Sequence, residues 1–202
     1  MLELLKKDII FTKKWIVMSV IYAIVVAYII MAEGATNIIF THCLIPFFVT
    51  SLPFTKIMSM EDNQDTRDFL RRLPVNKYKV VFARTLFLIL LLVISSISLG
   101  TIQVVGFKVN FDYDLIINLA IVLLGFLAYF LIQLGVFYKY SYHAAQTLLV
   151  EMSIIAIVIA FATERINVNI EICTISRELV LLIMVIINGV IFAIDGKLYE
   201  FN

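Results

Sequence analysis

Long uninterrupted apolar runs dominate this chain and restrict what it can fold into. A helix needs about 17–25 mostly apolar residues to cross the hydrocarbon core of a bilayer. Lipid offers no hydrogen-bond partners, so a spanning backbone must form helices or a closed barrel, and continuous rather than alternating runs favour helices. The composition agrees, with 62% hydrophobic and 15% charged residues. We predict an all-α membrane protein with one transmembrane domain, 1–202, and six spans: 15–31, 38–58, 80–105, 115–138, 144–162 and 179–194.

The basic residues are distributed unevenly between the two sides that six spans define. One side carries Lys6, Lys7, Lys13, Lys14, Lys56, Arg67, Arg71, Arg72, Lys77, Lys79, Arg84, Lys139 and Lys197. The other side carries only Lys108, Arg165 and Arg177. Because cytoplasmic loops are enriched in lysine and arginine, both termini are predicted to be cytoplasmic. The first apolar run is longer than the core of a secretory signal, so we interpret it as a retained span.

Motifs for catalysis or for metal and nucleotide binding are missing from the sequence. It contains no Gly-x-x-x-x-Gly-Lys-Ser/Thr loop and no His-Glu-x-x-His pair. The only histidines are His42 and His143, and the cysteines Cys43 and Cys173 lack metal-type spacing, so we interpret the cysteines as unpaired thiols. We therefore expect no enzyme activity, no cofactor bound by this chain and no nucleic-acid partner.

The predicted cytoplasmic connection between the second and third spans has the pattern of a short amphipathic helix. Asp62 or Thr66 is a suitable N-terminal cap, and Pro74 ends the helix. The apolar side chains fall on one face and the charged ones on the other. The residues of this helix are Asp65, Arg67, Asp68, Phe69, Leu70, Arg71, Arg72 and Leu73. Two interpretations are compatible with this pattern: a solvated loop that satisfies the charge bias, or a docking surface for a soluble partner.

The order of these features resembles the small bacterial permeases of the ABC-2 type transporters. The stretch Met60-Glu61-Asp62 through Leu73-Pro74-Val75-Asn76-Lys77 is similar to the family's acidic start, Leu-Pro-Val centre and basic lead into span three. Phe137-Tyr138-Lys139-Tyr140-Ser141-Tyr142-His143 resembles its aromatic and basic loop between spans four and five, and Asp195-Gly196-Lys197 its polar tail. The basic segment Leu2–Lys14 stands where the family has an amphipathic elbow helix.

The resemblance implies a division of labour between chains. Two six-span permeases, identical or related, would form the pathway in the bacterial cytoplasmic membrane. Separate cytoplasmic ABC ATPase subunits would bind and hydrolyse ATP with magnesium. The helix Asp65–Leu73 would then be the coupling helix that docks on the ATPase and passes its motion to the spans.

Three other features remain open to more than one interpretation. Glu151 is a carboxylate inside a predicted span and either lines the substrate pathway or lies near the inner headgroups. Pro46 and Pro53 give the second span either a functional kink or a static one. The outer stretch 163–177 alternates like a strand, whereas the family resemblance implies short re-entrant helices there.

Two functional hypotheses follow from the sequence. The first is the permease subunit of an ATP-driven exporter for amphipathic peptides or other hydrophobic cargo. The second is a non-transporting membrane protein, such as a bacteriocin immunity or scaffold protein. Association with an ABC ATPase distinguishes the two.

Overall fold

The predicted spans fold as long helices wherever the structure describes them. The computed structural model describes residues 2–32, 38–63, 66, 77–102, 113–151, 153–154 and 176–201, and the regular structure in these ranges is α-helical. The helices are α1 (Leu2–Ala32), α2 (Ile38–Glu61), α3 (Lys77–Ile102), α4 (Tyr113–Lys139), α5 (142–151) and α6 (Arg177–Phe201). Helices satisfy their own backbone groups, which is why such apolar segments take this form.

The bounds of α2 and α4 agree closely with the predicted spans, whereas α1 begins 13 residues before its span and α6 ends seven residues after its own. The second span was predicted to begin at Ile38, where α2 begins, and α4 exceeds its predicted span by two residues at the start and one at the end. The fifth span, 144–162, is helical in its first residues, and its remainder lies largely outside the described residues. The outer stretch 163–177 also lies outside them except for its last two residues, so neither interpretation of its conformation is tested.

Helix α1 is continuous from the basic N-terminal segment into the first span. The segment Leu2–Lys14 is helical, but it does not form a separate element, so the predicted elbow helix is not confirmed. The physical reason is visible in the sequence. Residues 2–32 contain neither proline nor glycine, and nothing else interrupts the helical hydrogen bonds.

Helix α3 lies at the centre of the bundle. It contacts α1, α2, α4 and α6, while the most extensive pairing is between α4 and α6. The main apolar core contains Phe54 of α2, Phe87 and Leu91 of α3, and Phe130 and Leu134 of α4. Aromatic contacts tie α2 to α4, with the Phe54 and Phe130 ring centroids 5.7 Å apart. A residue in the first turns of α3 is therefore surrounded by several helices.

The polarity of the helices is inverted relative to that of a water-soluble protein. On α1, Asp8, Thr12 and Ser19 are buried, whereas Met18 is 62% and Tyr28 is 73% exposed. Helix α6 has the same arrangement, with a buried asparagine and a row of exposed leucines, isoleucines and valines. Large exposed apolar faces need lipid or another apolar partner. By length and composition, four stretches of the described chain are suited to crossing a membrane: Glu3–Val26, Tyr78–Ser98, Leu119–Lys139 and Glu178–Tyr199.

Candidate functional site

A buried arginine occupies the second turn of α3, inside the helix bundle. Arg84 lies seven residues after the first residue of α3, and its side chain is 2% exposed. A charged side chain is rarely buried in a protein unless it is paired with an opposite charge. The helices that pack around α3 supply the partners.

Two carboxylates from two other helices contact the same guanidinium group. Nη1 of Arg84 donates to Oδ2 of Asp8, which is buried on α1. Nη2 of Arg84 pairs with Oε1 of Glu61, the last residue of α2. The planar fork of arginine suits this task, since its nitrogens point in fixed and different directions. The side chain therefore connects α1, α2 and α3 at one point.

Lys7 completes the charge balance of this site. Its Nζ lies 3.7 Å from Oδ1 of Asp8, and its side chain is 32% exposed while that of Asp8 is 2% exposed. The two acids, Asp8 and Glu61, then face two bases, Lys7 and Arg84. We call these four residues the Arg84 cluster. Formal neutrality makes burial feasible, because uncompensated charges are strongly destabilising in a low-dielectric interior.

A second group of polar side chains lies at the same end of the bundle, between α4 and α6. The rings of Tyr138 and Tyr199 meet edge to face, with centroids 4.8 Å apart. Asp195 on α6 is 1% exposed, and a methyl group added at Gly135 would lie 2.5 Å from its Oδ1. In the part of the chain that the structure describes, Oδ2 of Asp195 has no hydrogen-bond partner. Sequence analysis treated Asp195 only as the polar flank of a span, whereas the structure buries it in a helix interface.

The Arg84 cluster lies where the connection 62–76 joins the bundle. Glu61 ends α2, and the chain continues with a turn in which the Asp62 amide donates to the Met58 carbonyl at 2.9 Å. Helix α3 begins at Lys77 and brings Arg84 back to the same end. The predicted coupling-helix residues lie outside the described residues: Asp65, Arg67, Asp68, Phe69, Leu70, Arg71, Arg72 and Leu73. The docking interpretation is therefore untested, but both ends of the connection are located beside the cluster.

The other predicted site residues do not join this cluster. Glu151 is exposed on α5, on the same helix as the exposed side chains of His143, Gln146 and Thr147. Pro46 and Pro53 are both buried inside α2, which continues through them. Proline lacks a backbone N–H, so each one leaves a carbonyl of the preceding turn without its helical donor. Neither observation decides between the functional and structural interpretations of these residues.

Sequence analysis missed the Arg84 cluster, although one signal for it was present. Arg84 was counted only as a charge near the inner end of the third span. This arginine lies four residues inside an apolar run, and acids lie near the same end of the first two spans. Such an arrangement predicts that the arginine pairs with an acid inside the bundle. Its particular partners depend on how α1 and α2 pack, which is not a local property of the sequence.

Among the described residues, no group of three or more histidine, cysteine, aspartate or glutamate side chains is arranged to hold a metal ion. The site instead combines a buried ion-pair cluster with apolar helix faces that require lipid. These features define a multi-pass helical membrane protein in which the Arg84 cluster joins three helices at one end of the bundle.

Comparison with known families gives this class a more specific identity. The family model described as ABC-2 family transporter protein matches residues 3–195, nearly the whole length. The chain belongs to this family, which confirms the resemblance found in the sequence. It is thus an ABC transporter permease, and the family implies association with ABC ATPase subunits. Comparisons with curated proteins and with solved structures find no match.

Proposed function

We propose that this chain is the permease subunit of an ATP-driven exporter in the bacterial cytoplasmic membrane. In this proposal it moves amphipathic peptides or other hydrophobic cargo out of the cell. Separate cytoplasmic subunits hydrolyse ATP, and two permease chains of six spans each form the pathway. The observation that carries the proposal is the family match over residues 3–195.

Polar side chains on the exposed side of α5 support a water-accessible pathway. Gln146, Thr147 and Glu151 are exposed in the single chain, beside the exposed Val150 and Ile154, although they belong to a segment with the composition of a span. An ionised carboxylate facing lipid at mid-span costs about 2.5–3.5 kcal/mol on insertion scales. A second permease chain or a water-filled path is a better neighbour for this face. We therefore assign Glu151 to the pathway between the two permeases.

The connection 62–76 provides the proposed link to the ATPase. It joins α2 to α3 at the end of the bundle where α1 begins and α6 ends, and its arginines favour the cytoplasmic side. Docking would place the apolar face of Phe69, Leu70 and Leu73 in a groove on the ATPase, in the manner of an amphipathic helix.

Affinity purification of the full chain in mild detergent tests the proposal. The wild-type permease should co-purify with an ABC ATPase and stimulate its ATP hydrolysis. A double substitution, Phe69→Asp with Leu73→Asp, should remove the ATPase from the eluate. Tyr140→Asp is the matched control, because Tyr140 is 64% exposed at the turn between α4 and α5, another connection predicted to be cytoplasmic. ATPase recovery with the double variant would refute the docking assignment, and no ATPase with the wild type would favour the immunity or scaffold hypothesis.

Glu151→Gln tests the pathway assignment independently of docking. The variant should keep the ATPase bound but reduce cargo export from cells that express the transporter. Glu178→Gln is the control, since Glu178 is an exposed acid at the start of α6. Unchanged export in Glu151→Gln would contradict the pathway role.

A further inference from the structure

Arg84 connects three helices through one side chain, at the point where the connection 62–76 enters and leaves the bundle. We infer that Arg84 is a positioning residue for energy coupling: it holds α1, α2 and α3 as one unit, so that displacement of the connection moves all three helices together. This inference rests on the proposed function, because it assigns a role in transmitting motion from the ATPase.

The position of each member of the cluster supports this role. Glu61 is the last residue of α2 before the connection, so a pull on the connection acts on it directly. Arg84 lies about two helical turns beyond the other end of the connection. Asp8 lies on α1, which packs against α2 and α3. The cluster is therefore a charged link from the connection to the first helix.

The remaining contacts between these helices are less directional than the cluster. Beyond the cluster, α1 and α2 meet through apolar side chains, among them Ala23, Ile45 and Val49, and through the rings of Tyr22 and Phe48, whose centroids lie 5.2 Å apart. Apolar contact is non-directional, so it defines the register of helices less strictly than paired charges do. Lys56 lies 5.9 Å from the Trp15 ring centroid, and this contact also tolerates displacement. Charge-assisted pairing to one rigid fork is directional, and it defines the register of all three helices.

Burial strengthens this directional link. Arg84 and Asp8 are each 2% exposed, and Glu61 is also buried, so water and salt screen the pairs weakly. A buried ion pair adds little net stability compared with apolar residues of similar size. Its clearest contribution is a defined arrangement of the groups that it joins. Here those groups are the helices on both sides of the proposed coupling helix.

Arg84→Lys tests the inference in the complete complex of permease and ATPase. Lysine keeps the positive charge but has one nitrogen, so it cannot hold Asp8 and Glu61 through separate arms. The variant should still co-purify with the ATPase, while the stimulation of ATP hydrolysis per bound ATPase should fall by about ten- to one-hundredfold, the equilibrium factor that corresponds to the loss of one charged hydrogen bond. Lys79→Gln, an exposed charge on the same helix, and Ser95→Ala, a buried hydroxyl that bonds only within α3, should both behave like the wild type.

A triple variant separates coupling from folding. Asp8→Asn, Glu61→Gln and Arg84→Met together remove the three buried charges of the cluster and leave only that of the partly exposed Lys7. We expect this variant to keep the fold but to lose the directional link. This variant should bind the ATPase and also lose stimulation. Wild-type stimulation in either Arg84→Lys or the triple variant would overturn the inference and leave the proposed function intact. If the wild-type permease recovers no ATPase, the proposed function fails, and this inference fails with it.

Discussion

Replacing Arg84 by methionine is the sharpest test of the buried charge cluster. Methionine fills a similar volume but leaves the carboxylates of Asp8 and Glu61 buried without the guanidinium group that both contact. Removing one partner of a buried ion pair destabilises a protein by about 3–5 kcal/mol, because the other charge stays uncompensated.

We expect Arg84→Met to cost the free energy of one broken ion pair, although Arg84 contacts two carboxylates. Lys7 stays 3.7 Å from Asp8 in the variant, so this carboxylate keeps a cation nearby. The two carboxylates together thus lose one cation, the guanidinium group of Arg84. We expect Arg84→Met to lower the free energy of unfolding by about 3–5 kcal/mol. Asp8→Asn alone should lower it by about 1.5–3 kcal/mol, the contribution of one charged hydrogen bond.

The assay is unfolding of the purified permease in mixed micelles, with sodium dodecyl sulfate as denaturant and circular dichroism as the signal. The triple variant Asp8→Asn, Glu61→Gln, Arg84→Met should lie within about 1 kcal/mol of the wild type, because the only charge of the cluster that remains is that of Lys7, which is 32% exposed. Lys79→Gln controls for loss of an exposed charge on the same helix. The assigned role of the cluster is refuted if Arg84→Met is no less stable than Lys79→Gln, or if the triple variant is as unstable as Arg84→Met.

Two further predictions concern the interface between α4 and α6. Gly135→Ala should destabilise the fold by about 1–3 kcal/mol, because the new methyl group would lie 2.5 Å from Oδ1 of Asp195. Gly189→Ala is its matched control on α6, since nothing lies within 4 Å of a methyl group there, and thermal unfolding in detergent should show equal or higher stability. Asn188→Leu removes the hydrogen bonds from Nδ2 to the Leu124 carbonyl at 3.2 Å and to the Met184 carbonyl at 2.8 Å. Loss of the bond between helices should lower stability by about 0.6 kcal/mol in the same assay, and a loss above about 3 kcal/mol would contradict this value.

Local hydropathy is sufficient to predict the bounds of two helices of this chain, but α1 and α6 continue into polar segments beyond their apolar runs. The bounds of α2 and α4 follow from the change between apolar and polar residues, since each helix satisfies its own backbone. The elbow prediction was not confirmed for a related reason. A basic composition marks where a helix meets the headgroups, but it does not interrupt the helix, and Leu2–Lys14 has no residue that would.

The pairing of Arg84 illustrates what a single sequence does not specify. Asp8 and Arg84 are separated by 76 positions, and they meet only because α1 and α3 pack side by side. Asp195 presents the same difficulty, since it lies next to the polar tail in sequence but within the α4–α6 interface in the fold. Such contacts depend on helix rotation and crossing, for which hydropathy carries little information.

The separation of Asp8 and Arg84 also has a consequence for biosynthesis. Translation at about 5–20 residues per second places Arg84 at least several seconds behind Asp8. During that interval the first helix carries an acid whose later partner does not yet exist. Lys7, its neighbour in the chain, is available from the start and lies 3.7 Å from it in the final fold. The adjacent lysine can thus serve as an early counterion, so that the first helix enters the membrane without a bare negative charge before the third helix arrives.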